Sequence, residues 1–431
     1  MASVPQLQDQ SAVRTRVRHK VLAFCCALAA VTYLDRVCIA VTANDIMRDL
    51  ALTPVQMSFV FSAFTFAYGL FEIPTGHWGD RIGSRRVLTR IVSWWSAFTI
   101  FTAGTFNYAS LLIVRFLFGA GEAGAWPNAA RTFSRWFPSS ERGTAQGIFF
   151  MGAHLAGGLT PILVARMLTV MHWRWVFVIF GMVGFIWAFF WYRWVRDEPS
   201  EHPGVNASEL KWIEEGRLVQ AKHSGRMSDF IQLLGQRNML GLCGMYFTQT
   251  YGFYFYITWL PTYLENVRGM KSMKLGLLAG LPLLLSVLAD LLGGLSTDYA
   301  VKRFGLRWGR ASIGLIAFAA AAGFMAAGAA TADVTTSAVL IALAAACSAF
   351  PLGAAWGAAV DIGGNRSGMV TACMNTAGQV GGMLSPVVLA LVVREFSSWA
   401  MPLYATAILY GFGALCWLII DASKPLRIQR S

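Results

Sequence analysis

Among the ionisable residues inside otherwise apolar stretches of this 431-residue sequence, four matter most: Asp35 and Arg36, which are adjacent, and Arg115 and Glu122, which are seven apart. In a helix that spacing is two turns, so Arg115 and Glu122 point to one side, and Tyr33 shares a face with Arg36. A charged group at bilayer depth costs roughly 2.5–3.5 kcal/mol on insertion scales, so such a residue is normally functional or paired. Arginine stays protonated and offers a planar fork to a carboxylate, whereas a carboxyl group in low dielectric titrates nearer working pH. The division of labour that follows has Arg36 binding an anionic ligand, Asp35 and Glu122 exchanging protons, and Arg115 compensating their charge. An ionised Asp35 paired with an arginine would release it on protonation for the incoming anion, which links proton and anion binding because the carboxylate and the anion compete for the same arginine. The plainer alternative is a set of structural salt bridges between helices.

Polar side chains on other apolar stretches are candidates to hydrogen-bond such a ligand: Tyr68, His154, Gln249, Tyr254, Asn375 and Gln379. His154 has three readings, as a ligand-binding group, a second titrating group or a satisfied packing histidine. Tyr251, Tyr254 and Tyr256 suit either contact with a sugar ring or packing between helices. Trp94, Trp95, Trp191 and Trp194 sit towards the ends of apolar stretches and read as an interfacial belt. Phosphate-loop, zinc His-Glu-Xaa-Xaa-His and Gly-Xaa-Ser-Xaa-Gly patterns are missing from the sequence, which argues against an enzyme and against direct ATP drive. No metal and no cofactor is expected.

Composition says what kind of molecule holds these residues. With 56% of residues hydrophobic and 13% charged, a soluble chain is rejected. Twelve apolar stretches are each long enough to cross about 30 Å of hydrocarbon as a helix: 21–43, 55–78, 87–106, 109–130, 143–167, 173–194, 238–265, 273–297, 310–330, 335–361, 367–393 and 400–421. A net charge of +13 raises the question of nucleic acid, and placement answers it. Counted from a cytoplasmic N-terminus, the inside segments hold 26 of the 35 Lys and Arg, the outside segments hold 7, and two lie within spans. That is the positive-inside pattern of a membrane protein rather than a nucleic-acid footprint. Arg14, Arg16, Arg18 and Lys20 orient the first span, which is too long and too charged, with Asp35 and Arg36, to be a cleaved signal. The seven cysteines all fall inside spans without metal spacing and read as small apolar residues without disulfides.

The longest polar stretch, Arg196 to Asn238, divides the spans six and six. The expected organisation is an N-terminal six-helix bundle over 1–195, a cytoplasmic linker over 196–237 and a C-terminal bundle over 238–431. Asn206 or Ser208 can cap a short linker helix whose Leu210 and Ile213 share a face, which places part of the linker on the membrane surface. An internal repeat supports the division: Gly157-Gly158-Leu159-Thr160-Pro161 is echoed by Gly381-Gly382-Met383-Leu384-Ser385-Pro386, and Asp80 by Asp298. Two parallel six-helix repeats are a transporter architecture with a site near the midplane.

The run Gly76-His77-Trp78-Gly79-Asp80-Arg81-Ile82-Gly83-Ser84-Arg85-Arg86 resembles the loop signature of the major facilitator superfamily. Further residues resemble its anion:cation symporter branch: Tyr33-Leu34-Asp35-Arg36, Arg115 to Glu122, Trp136-Phe137-Pro138 with Glu141-Arg142, and Thr258-Trp259-Leu260-Pro261-Thr262-Tyr263-Leu264. The resemblance implies an all-α membrane protein with twelve transmembrane helices in two pseudo-symmetric six-helix bundles. It implies proton-coupled symport of an organic anion by alternating access, with sugar acids (hexuronate, aldonate or aldarate) as the leading substrates. Within it, Tyr68 and Asn375 match binding residues of sugar-acid carriers. Asp80, Arg81, Arg85 and Arg86, joined by Glu141, Arg142 and Asp298, would form a cytoplasmic charge network that gates the cycle; a solvated basic loop is the alternative. The expected partners are the small organic anion, protons and the lipid bilayer, with no nucleic acid, for a monomer in the plasma (inner) membrane with both termini cytoplasmic. Transport of an aromatic or dicarboxylic acid, anion exchange, and a membrane sensor that does not transport stand as alternatives.

Overall fold

The computed structural model describes residues 13–138, 141–214, 235–267, 269–270, 272–363 and 367–424. All regular elements among them are helices. The first half comprises α1 (Val17–Val41), the short α2 (Ala43–Asp49), α3 (Pro54–Ile82), α4 (Ser84–Ala103), α5 (Tyr108–Glu122), α6 (Ala125–Trp136), α7 (Arg142–Met167) and α8 (Trp173–Trp194). The linker contributes α9 (Ala207–Glu214). The second half comprises α10 (Arg237–Thr258), α11 (Leu260–Asn266), α12 (Ser272–Ala330), α13 (Val334–Ala349), α14 (Leu352–Gly363), α15 (Ser367–Phe396) and α16 (Ala400–Ile419).

Nine segments among the described residues are long and apolar enough to cross a membrane. One of them, within α12, holds a reversal at Gly305 (φ 75°), where Gly309 folds back against the backbone of Val301. That segment therefore supplies two antiparallel limbs, the eighth and ninth expected spans. α4 and α10 occupy the third and seventh expected spans but are less apolar, because Arg85, Arg86 and Arg90 open α4 and Thr248, Gln249 and Thr250 sit mid-way along α10. Three spans read as continuous are broken: the fourth at Ala123–Gly124, the seventh at Trp259 ahead of Pro261, and the tenth at Phe350–Pro351. Proline removes a backbone donor at the latter two, and Gly124 adopts φ 88° at the first.

Within the first half α1 packs on α7, α3 on α5 and α4 on α8; within the second, α10 packs on α15 and α16, and α12 on α13 and α16. The halves join chiefly through α7 with α12 and α3 with α15, with smaller contacts of α1 on α10 and α11. At the first seam Gly280 of α12 lies so close to the Gly158 carbonyl of α7 that a Cβ there would overlap it, so these backbones approach only because neither residue has a side chain. At the end of the bundle that carries α2 and α11, the Asn44 amide donates to Glu265 (2.6 Å) and Asn266 (3.1 Å), and Phe61 meets Trp259 edge to face at 5.5 Å. The halves are thus latched at that end.

At the opposite end, which carries the termini, the ion pairs among the described residues stay within a half or tie the linker to the first half. Glu209 of α9, fully buried, accepts from the backbone N–H groups of Val17 (3.1 Å) and Arg18 (3.2 Å) and from the Arg18 guanidinium (3.1 Å). A carboxylate at the start of α1 is stabilised by the exposed N–H groups and dipole there. Arg18 also bonds Glu141 at 3.0 Å, and the Trp212 indole donates to the same carboxylate at 3.1 Å. Asn206 caps α9 by accepting from the Glu209 N–H at 2.9 Å, and Ile213 is buried. The linker helix therefore docks on the first half. In the second half, Arg310 pairs with Asp361 at 2.7 Å and Asn238 holds the Asp421 backbone at the foot of α16.

Burial works against the charge on Glu141, but the bonds from Arg18 and Trp212 outweigh it and hold this carboxyl below the usual range. A depressed carboxyl pKa contributes stability that is present above the unfolded value, about 4.3, and is lost as pH falls through the folded value. Acidification below about pH 4 should accordingly release α9, measured as faster amide hydrogen exchange over 207–214, while Glu141→Gln should show the faster exchange already at neutral pH.

Candidate functional site

α1 and α5 place the central charges. The Arg36 guanidinium pairs with Glu122, its Nε donating to Oε1. Glu122 is fully buried, and its Oε2 has no hydrogen-bond partner. Aromatic rings from two helices surround the arginine: its guanidinium carbon lies 4.9 Å from the Tyr68 ring centre, 5.2 Å from Phe64 and 5.9 Å from Tyr33. Rings at this distance stabilise a cation through their quadrupole while leaving its in-plane donors open to an anion. Gly119 makes the arrangement possible, since a side chain there would strike the Phe64 backbone and push α3 away from α5.

Adjacent residues on a helix face different ways, and Asp35 points away from Arg36 into the first half. It is 1% exposed, and neither carboxylate oxygen has a hydrogen-bond partner. Trp95 and Thr99 on α4 lie beside it, and the Trp95 indole N–H is likewise unpartnered. Arg115 is also buried, with its guanidinium carbon 4.2 Å over the Phe118 ring and within electrostatic range of Asp35 and Glu122. The arginine that sequence reasoning imagined in the hold of Asp35 is instead held by Glu122.

The remaining candidates lie along the seam between the halves. His154 Nδ1 is 2.6 Å from Asp290 Oδ2 on α12, and the Tyr33 ring meets both His154 (6.0 Å) and Phe253 (6.5 Å). The Asn375 amide donates to both oxygens of Glu72, at 3.2 and 3.0 Å. Gln379, one turn further along α15, packs beside Gly69 with its Oε1 buried and unpartnered. Tyr254 is buried against Gly382, within electrostatic range of Arg36, Glu122 and Glu72. Gln249 is half-buried and accepts from the neighbouring Thr250 hydroxyl at 3.2 Å, so it contributes no bond across the seam. Tyr256 is engaged by the Tyr410 hydroxyl at 2.9 Å inside the second half.

Sequence reasoning missed Glu72 and Asp290. The signal was available, because both are acids inside apolar stretches, and the cost argument applied to Asp35 and Glu122 applies equally to them.

The proposed gate residues occupy helix ends rather than a loop. α3 runs without interruption to Ile82, and only Gly83 separates it from α4. The side chains of Asp80, Arg81 and Arg142 lie outside the described residues. Arg85 donates to the Tyr192 carbonyl (2.9 and 2.6 Å) and stacks on that ring at 4.4 Å, while its backbone N–H is capped by Asp197. Arg86 is exposed, Asp298 is exposed on α12, and Glu141 belongs to the Arg18 clasp. The described members of the group therefore do not form one network here.

Comparison with known proteins follows the same line. The family model of the Major Facilitator Superfamily matches residues 25–302. The chain is 33% identical to a probable sulfoacetate transporter of Cupriavidus necator over 95% of both chains. It is 35% identical to a probable galactarate/D-glucarate transporter of Escherichia coli K12 over 68% of this chain and 70% of that one, and 28% identical to the D-galactonate transporter of Escherichia coli O6:H1 over 94% and 96%. Among solved structures, a bacterial homologue of the human lysosomal transporter Spinster superposes with a TM-score of 0.75 at 19% identity, covering 95% of this chain and 98% of that one.

The Arg36–Glu122 geometry makes a stability prediction. Removing one partner of a buried pair strands the other charge, typically at a cost on the order of 3–5 kcal/mol, whereas replacing both is far milder. Glu122→Gln should lower the thermal unfolding midpoint in detergent more than the double substitution Arg36→Gln with Glu122→Gln does; equal losses in both would show that the pair is not coupled.

Proposed function

Since this chain belongs to the Major Facilitator Superfamily, a family of membrane transporters, we propose that it moves an organic anion of the sugar-acid class across the bilayer by alternating access, in symport with protons. The observation that carries the reading is Arg36: a buried, ring-flanked guanidinium at the seam, whose partner Glu122 is itself a titratable group. The relatives named above are a D-galactonate transporter, a probable galactarate/D-glucarate transporter and a probable sulfoacetate transporter, and all of these substrates are small organic anions.

The residues suggest an order of events. A proton arriving at Glu122 removes the carboxylate that holds Arg36, and the freed guanidinium binds the substrate carboxylate with its two parallel donors. Proton and substrate thereby favour each other's binding, which is the linkage symport requires. Asp35, with neither oxygen hydrogen-bonded, suits a neutral carboxyl better than a bare charge, and Arg115 beside it can compensate the charge when the proton leaves. Tyr33 and Tyr68 from the first half, with Tyr254, Asn375 and Gln379 from the second, offer partners for substrate hydroxyls.

Opening and closing would use the seam. The halves are latched by Asn44 with Glu265 and Asn266 at one end, while among the described residues the ion pairs at the end carrying the termini stay on one side of the seam. The excess of Lys and Arg on the segments at that end supports a cytoplasmic placement for it, and on that reading the latched end faces outwards and the site would open to the cell interior. A rocking of 1–195 against 238–431 about the Gly158–Gly280 contact would reverse it. The match to a sulfoacetate carrier over nearly its full length favours a second reading, in which the cargo is a shorter sulfonate or dicarboxylate bound by the same arginine.

Transport by the purified chain in vesicles tests this. Arg36→Ala should abolish both accumulation driven by a pH gradient and exchange of labelled for unlabelled substrate. Glu122→Gln should abolish the former while leaving exchange, and accumulation surviving in Glu122→Gln would remove Glu122 from the coupling role. Gly280→Leu, by holding α7 and α12 apart, should reduce disulfide formation between Asn44→Cys and Glu265→Cys in a cysteine-free background.

A further inference from the structure

α3 and α15 run antiparallel across the seam, with Glu72 facing Asn375, Gly69 facing Gln379, and Ser62 donating to the Met383 carbonyl at 2.7 Å. Along this line the chemistry changes sign. At the level of Tyr68 stands the guanidinium of Arg36, 4.9 Å from that ring. One turn along α3, about 5.4 Å, stands the Glu72 carboxylate. Asn375 donates from one nitrogen to both Glu72 oxygens, so both act as acceptors there. Between the two levels, Gln379 presents a buried oxygen with no donor. Among the described residues no cation pairs with Glu72; Arg36 is occupied by Glu122, and Arg115 lies behind Phe118.

We propose that Glu72 and Gln379 form an acceptor subsite that selects monoanionic acids bearing hydroxyl or amino donors over dianions. A substrate whose carboxylate lies on Arg36 would reach the next turn with its far end, and there it meets two acceptors. A hydroxyl or ammonium group supplies the donor that the Gln379 oxygen lacks and adds a bond to Glu72. A second carboxylate supplies no donor and faces a like charge in a poorly screened setting, where such a contact costs enough to change affinity on the order of tenfold. This deepens the sugar-acid reading and rests on it: among sugar acids, it assigns the substrate to monoacids (aldonates and hexuronates) and excludes the aldarates.

A matched pair of ligands isolates the claim, because an aldonate and the aldarate of the same configuration differ only in oxidation of one terminal carbon. Competition by each against uptake or binding should be measured with the full-length protein in vesicles. The aldonate should bind roughly tenfold or more tightly than the aldarate, and Glu72→Gln, which keeps shape and an acceptor while removing the charge, should bring the ratio close to one. Gln379→Glu adds a charge at the same end and should widen the ratio, so the test stands even if the first variant fails to fold. An aldarate bound as well as or better than the aldonate by the unaltered protein, or a ratio unmoved by both substitutions, overturns the subsite. Binding of neither acid overturns the sugar-acid reading itself, and the subsite with it, an outcome distinct from reversed preference.

Discussion

A charge can be kept inside a helical bundle only if something nearby answers it, and the Arg36–Glu122 pair is the place where this structure meets that requirement. Much of the local architecture is arranged around the pair. α5 ends at Glu122, with Gly124 turning the chain immediately afterwards at φ 88°, so that the carboxylate stands at a helix end facing α1. Gly119, one turn earlier, lets α3 close on α5 and brings Phe64 and Tyr68 over the guanidinium. The pair leaves one Glu122 oxygen without a partner, so it is held tightly but incompletely. A fully satisfied network would favour rigidity, whereas an incomplete one leaves room for a competing ligand.

Much of this was legible in the sequence, for a physical reason. Apolar length, basic residues alternating by loop and acids inside apolar runs are strong signals, because hydrocarbon tolerates few exceptions. They gave the membrane class, the helical architecture and the identity of Arg36, Glu122, Asp35 and Arg115. Pairing was beyond reach. Asp35 and Glu122 look equivalent as buried carboxyls, and only the three-dimensional approach of α5 to α1 decides that Glu122 holds the arginine. Glu72 and Asp290 were overlooked although the same cost argument singles them out, since attention went to the clustered charges. Helix interruptions at Gly124, Trp259 and Pro351 were hidden because apolar composition continues across them.

The seam is graded. Near Gly158 and Gly280 it is backbone against backbone, with no side chain to catch. Towards α2 and α11 it is fastened by amide and carboxylate groups that water can replace. Deeper in, it is bridged by His154 with Asp290 and Asn375 with Glu72. Contacts of this kind break without leaving a hydrophobic wound, which is what two bodies that must part and rejoin need.

The two halves contribute unequally to that seam. Asp35, Arg36, Glu72, Arg115 and Glu122 all belong to the first half, whereas the second offers the amides of Asn375 and Gln379 and the phenol of Tyr254, and the acids it brings, Asp290 and Glu265, are already engaged by His154 and Asn44. Most of the buried charge thus sits on one piece of the chain and most of the neutral hydrogen-bonding groups on the other. Substitutions among the amides and the phenol of the second piece would reshape the neutral lining of the seam without disturbing the ionic cluster on the first, so the two properties can vary independently.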